Sequence, residues 1–90
     1  MISKRAFMYH YVFVMDSNGY AGWDVGGYDP WITSFVDVNE SNARYNAWQE
    51  IKEQWDLEER VEGQLSNGHG RALLVSCYAT EPGAYHKHLL

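Results

Sequence analysis

The chain is poor in most of the residues that announce a function. It has one cysteine, Cys77, so no disulfide can close within it, and no Cys/His set has structural-zinc spacing. Basic residues are scarce: 7 Lys and Arg stand against 12 Asp and Glu, for a net charge of −5 and a pI of about 5.2. That balance argues against general nucleic-acid binding, which needs cations to neutralise phosphates, and against docking to an anionic membrane. No long hydrophobic run is present. The most apolar stretch, Ala6–Met15, is too short to span a bilayer and contains Tyr9, His10 and Tyr11. No secretory leader pattern is visible either, so the expected setting is soluble, in a reducing cytoplasm. No internal repeat occurs. The two Ser-Asn-Gly triplets, at 17–19 and 66–68, are turn chemistry.

Catalytic and cofactor motifs are equally thin, and none is assigned. Gly68-His69-Gly70 precedes a strand pattern, not a helix whose N-terminus would hold a phosphate. His86 and His88 form a His-x-His pair near the end of the sequence, too little for a metal site. Cys77 sits in an apolar strand pattern and is expected to be a buried, inert thiol. His10 is expected to be a partly buried ring with a hydrogen-bond partner, and His69 to lie on a loop.

What is present in abundance is aromatic surface: four Trp, seven Tyr and three Phe, 16% of the residues within a hydrophobic total of 46%. Ninety residues make one domain, 1–90, with 1–4 and 84–90 read as flexible ends. One long helical pattern organises it, Ser41 to about Glu62. Ala43, Ala47, Trp48, Ile51 and Trp55 fall on one face at about 100° per residue, with Val61 rejoining them. Asp37, Asn39 and Ser41 are all candidate N-caps, Asp37 with Glu40 has capping-box spacing, and Gly63 is the expected stop. Arg5–Asp16 alternates as a strand with two largely apolar faces. Asn18-Gly19 is a tight-turn signal, Tyr20–Val25 a returning strand, Trp31–Val38 a third strand and Arg71–Thr80 the last, with a flexible loop at 63–70.

The expected fold is α+β: a small two-layer sandwich with a three- to four-stranded, mainly antiparallel sheet, in the order β-β-β-α-β, covered by one helix. The expected core is Phe7 or Met8, Val12, Val14, Trp23, Ile32, Val36, Ala47, Trp48, Ile51, Trp55, Leu73 and Val75.

Two surfaces carry the functional reading. Tyr20–Trp31 holds four large rings, three glycines and two aspartates, which suits recognition: rings give contact area at low entropic cost, and glycine lets a partner's backbone approach. Its candidate contacts are Tyr20, Trp23, Asp24, Tyr28, Asp29 and Trp31. The second surface is the acidic side of the helix. Between Glu50 and Glu62 six acids face two bases, and Glu50, Glu53, Asp56 and Glu59 are its candidate contacts. Together they point to a small acidic protein that binds another protein, with a nucleic-acid-binding complex as the fitting partner, since such a complex presents a basic groove. In size and charge the chain is similar to small phage proteins that block host defence nucleases, anti-CRISPR proteins among them. The likeness is one of type, and no residue role is carried over from it. A small enzyme or ligand-binding module is the alternative, as is a homo-oligomeric subunit such as a homodimer pairing through the strand Phe7–Met15.

Overall fold

A computed structural model describes residues 5–16 and 30–82. Among these the elements run β1 (Phe7–Asp16), β2 (Trp31–Asp37), α1 (Glu40–Gln54), β3 (Glu58–Val61), β4 (Gln64–Asn67) and β5 (Gly70–Thr80). The five strands form one antiparallel sheet in the order β2-β1-β5-β4-β3, so the α+β class with a single helix holds. Among the described residues the strands number five, not three to four, and two of them precede the helix while three follow it. β1 is central. It pairs with β2 from Phe7↔Asp37 to Phe13↔Trp31, and with β5 from Met8↔Thr80 to Asp16↔Arg71. The expected Asn18-Gly19 turn and the strand at 20–25 lie outside the described residues, as do both chain ends.

The helix begins as its sequence implies and stops earlier. Asn39 is the N-cap, its side-chain oxygen accepting from the Ser41 N–H at 2.9 Å, while Asp37 accepts from the Asn39 N–H at 2.8 Å. The stop is at Trp55, eight residues short of Gly63. The Leu57 N–H reaches the Lys52 carbonyl at 2.9 Å and the Asp56 N–H reaches Glu53 at 3.4 Å, the pair of bonds that defines a Schellman ending. Its left-handed position falls to Asp56, φ 51°, and Leu57 behind it is buried as the hydrophobic anchor. Gly63 is indeed left-handed, φ 78°, but it turns the β3–β4 hairpin. Val61, assigned by periodicity to the helical stripe, is 60% exposed on β3.

Much of the expected loop at 63–70 is strand. β4 takes residues 64–67, between the turn at Gly63 and the Gly68-His69 turn, with Asn67 paired to Gly70. Asn67 holds this corner. Its Oδ1 accepts from the N–H groups of His69 (2.7 Å) and Gly70 (3.1 Å), and its Nδ2 donates to the Trp55 carbonyl at 2.7 Å. One side chain thus satisfies a helix-end carbonyl and closes a hairpin. Gly70 cannot carry a side chain there, because a Cβ would lie 2.6 Å from the Asp16 carbonyl oxygen.

The core lies between α1 and one face of the sheet. It comprises Tyr11, Phe13, Ala43, Ala47, Ile51, Trp55, Leu57 and Ala72, with Tyr9, Met15, Trp31, Phe35, Trp48, Leu65 and Leu74 packed against them. The helical stripe is as expected. The sheet face is the opposite one: β1 turns its odd residues to the helix, and Val12, Val14, Ile32, Val36, Leu73 and Val75 are not in the core. The reason is ring size. Tyr11 and Phe13 fill the seam as fully buried rings, and the Phe13 and Trp48 rings meet edge to face at 4.8 Å. Cys77 is exposed, not buried, because α1 packs on β2 and β1 and leaves this part of β5 uncovered.

Truncation should separate the two readings of the helical stripe. Ile51→Ala should cost about 2–5 kcal/mol in a urea unfolding series, whereas Val61→Ala should stay within about 0.5 kcal/mol. At the helix stop, Asp56→Gly should stabilise by up to about 1 kcal/mol, since it relieves a left-handed L-residue.

Candidate functional site

The N-terminal turn of α1 carries the most strongly coupled polar group. The Tyr11 hydroxyl, at the inner end of a buried ring, donates to Glu40 Oε2 at 2.6 Å, and Arg44 Nε donates to the same oxygen at 3.0 Å. The bond from Tyr11, then that from Arg44, holds the Glu40 carboxyl below its usual range. Burial, then the bond and charge of Glu40, push the Tyr11 hydroxyl well above its usual range. The cluster locks helix to sheet. It keeps Tyr11 protonated and so suits it to positioning, not to proton transfer.

The expected contact residues divide into three groups. Tyr20, Trp23, Asp24, Tyr28 and Asp29 lie outside the described residues. Trp31 and Glu50 are brought together: the Trp31 indole N–H donates to Glu50 Oε2 at 3.2 Å, tying the start of β2 to the helix. Glu53, Asp56 and Glu59 are all exposed, on the last helical turn, the Schellman turn and β3 respectively. With Glu58 and Glu62, also exposed, they make an acidic corner of the molecule rather than one row along a helix. Within it Arg60 pairs with Glu58 at 3.2 Å, and Glu59 accepts from the Gly63 N–H at 3.2 Å.

Sequence reasoning missed a groove of about 660 Å³ between α1 and the β3–β4–β5 end of the sheet. Arg44, Trp48 and Lys52, one helical turn apart, form its wall. Leu65 and Leu74 add apolar surface and Glu59 stands at its β3 side. Each arginine among the described residues has a carboxylate partner: Arg5 with Glu81, Arg44 with Glu40, Arg60 with Glu58 and Arg71 with Asp16. Lys52 has none among the described residues. The i, i+4, i+8 spacing of Arg44, Trp48 and Lys52 was legible, but that a cleft faces them depends on the sheet order.

The face of the sheet away from α1 carries Met8, His10, Val12 and Val14 beside Ile32, Ser34, Val36 and Tyr78, with Ile32 60% exposed. His10 sits in the middle. Its Nδ1 is 2.7 Å from Ser34 Oγ, its Nε2 2.8 Å from Thr80 Oγ1, and its ring stacks on Tyr78 at 4.7 Å. Both ring nitrogens are used, as expected for a structural histidine, and the Ser34 pair lies on a sheet face. Among the described residues no three His, Cys, Asp or Glu side chains gather as a metal would need, and no helix is long and apolar enough to cross a membrane.

No protein-family model, curated protein or solved structure matches this chain.

The Tyr11–Glu40 pair predicts a pH dependence at both ends. Glu40, depressed in the fold, contributes stability above the usual glutamate range, and this is lost as pH falls through its folded value. Tyr11, raised in the fold, contributes stability below about pH 10 that is lost as pH rises further. Urea midpoints should therefore show the advantage of wild type over Glu40→Gln shrinking below about pH 4, and that over Tyr11→Phe shrinking above about pH 10.

Proposed function

We propose that this chain works by binding another protein, with the acidic corner at the helix end as its contact. The observation that carries this reading is the corner's composition and exposure. From Glu53 to Glu62 there are five acids and one base, and all five carboxylates are exposed. A field of one sign on a small rigid domain steers and holds a partner of the other sign. The partner that fits is a cytoplasmic nucleic-acid-binding protein or complex, whose basic groove the corner would occupy in competition with DNA or RNA. A phage-type counter-defence inhibitor, anti-CRISPR-like in action, is the form of this proposal that the size and charge favour. The rings and aspartates of 20–31 are proposed as further contacts, with Trp31 acting from its seat against Glu50.

The groove beside Lys52 supports a second reading, a module that binds a small anionic ligand. Its volume lies in the usual ligand range of roughly 300–1,000 Å³, and the Lys52 ammonium, without a carboxylate partner among the described residues and beside an indole, would take an anion on a flat apolar body.

The test is capture from a host lysate with the immobilised chain, release by salt, and competition by labelled DNA for the protein released. The variant Glu53→Gln/Asp56→Asn/Glu59→Gln keeps the left-handed position in a tolerant residue. It should lose at least tenfold in affinity and show a shallower salt dependence, with its far-UV circular dichroism unchanged. Equal affinity of the triple variant, or no competition by DNA, would remove the acidic-corner reading and leave the groove as the better site.

A further inference from the structure

Among the described residues the outer edge of β5 is open. β4 meets β5 only at Ser66↔Arg71 and Asn67↔Gly70, so from Leu73 to Thr80 the strand is paired on its β1 side alone among the described residues. The open row of backbone donors and acceptors is roughly 26 Å long at about 3.3 Å per residue. Such a row is a template for another strand, and folded proteins blunt it with charge, proline or a bulge. Of the two outermost strands, one is blunted by charge and the other is shorter. β3 is the outer strand on one side and carries Glu58, Glu59 and Arg60, all exposed. β2 is the outer strand on the other, a shorter one whose uncharged run Trp31–Val36 is bounded by Pro30 and Asp37. The stretch Leu73–Thr80 has no charge and no proline, and Val75, Ser76, Cys77, Tyr78 and Ala79 are all exposed. Its one irregularity is the bulge at Val75, where the register to β1 shifts.

We propose that this edge is filled by the same edge of a second copy of the chain, antiparallel, about a two-fold axis at Ser76, giving one continuous sheet through two molecules. Two arguments select a copy over a foreign strand. Antiparallel pairing of identical strands about a two-fold is self-complementary, so each open group meets its counterpart without any further design. Charge then favours an uncharged edge, and β5 offers the longest one. A chain of net charge −5 repels its copy wherever carboxylates face each other, and the uncharged edge of β5 is where two copies meet with none between them. A strand with no charges also offers no charge code by which to choose a foreign partner. The contact is independent of the acidic corner and leaves it exposed.

Sedimentation velocity at micromolar to sub-millimolar concentrations tests this. The expected mass is twice 10.4 kDa. Ser76→Asp places two carboxylates across the axis and should raise the dissociation constant at least tenfold. An equimolar mixture of Ser76→Asp with Ser76→Lys should restore the dimer, which a folding defect would not do. A wild type that stays monomeric over the whole range overturns the proposal. So does a dimer that Ser76→Asp leaves intact, since the contact would then lie elsewhere, on the exposed sheet face or another edge.

Discussion

One helix cannot cover five strands, and most of the molecule's surface follows from that. The 15 residues of α1 make a rod about 22 Å long and about 10 Å wide. A five-stranded sheet is about 19 Å across, measured between its outer strands. The helix is seated on β1 and β2, where Ala43, Ala47 and Ile51 let it approach Tyr11 and Phe13 closely. Three consequences are geometric. The groove opens beside the helix, over the β4–β5 region. The far half of β5, Cys77 included, is exposed on the helix side. The reverse face of the sheet has no second layer among the described residues.

The seam also explains which polar groups are fixed. A tyrosine at the centre of a small core must satisfy its hydroxyl, and Glu40 in the first turn of the helix is where it does so. That one bond sets the height and rotation of the helix on the sheet. The Trp31–Glu50 bond repeats the device farther along, and the Asn67–Trp55 bond anchors the far end. A short helix is thus tied at its start, middle and end by side chains of three different strands.

The sequence makes the helical stripe legible because the spacing of apolar residues is local, and it narrows the N-cap to Asp37, Asn39 and Ser41, among which the fold selects Asn39. The stop was not legible. Asp56 takes a role that glycine usually takes, and the period carried on by accident to Val61. The inverted sheet face has a different cause. β1 is apolar on both faces, so alternation alone cannot say which face turns inward. Ranking the aliphatic set above the tyrosines chose the wrong one, consistently, in β1 and β2 alike. At the candidate site, exposure of Glu53, Asp56 and Glu59 was legible from composition. That Trp31 and Glu50 bond to each other was not, since no local pattern encodes a strand-to-helix hydrogen bond. The groove and the open edge depend on the order β2-β1-β5-β4-β3, which is purely tertiary information.

The acids of β3 allow two physical readings at once. As charges on an outer strand they prevent unwanted strand pairing, and as an exposed field of one sign they can hold a basic partner. The first role needs only a few charges of either sign, and Glu58 with Arg60 already provides it. Glu53, Asp56 and Glu62 lie off the strand or at its turn, where they protect no backbone edge. The excess is therefore not explained by edge protection, and it is the excess that sets the field of the corner. β5 presents the converse case. A chain with twelve carboxylates has kept all of them out of the longest open edge in its described sheet. The placement of charge in this molecule thus distinguishes a surface with a field of one sign from one that presents an uncharged backbone edge.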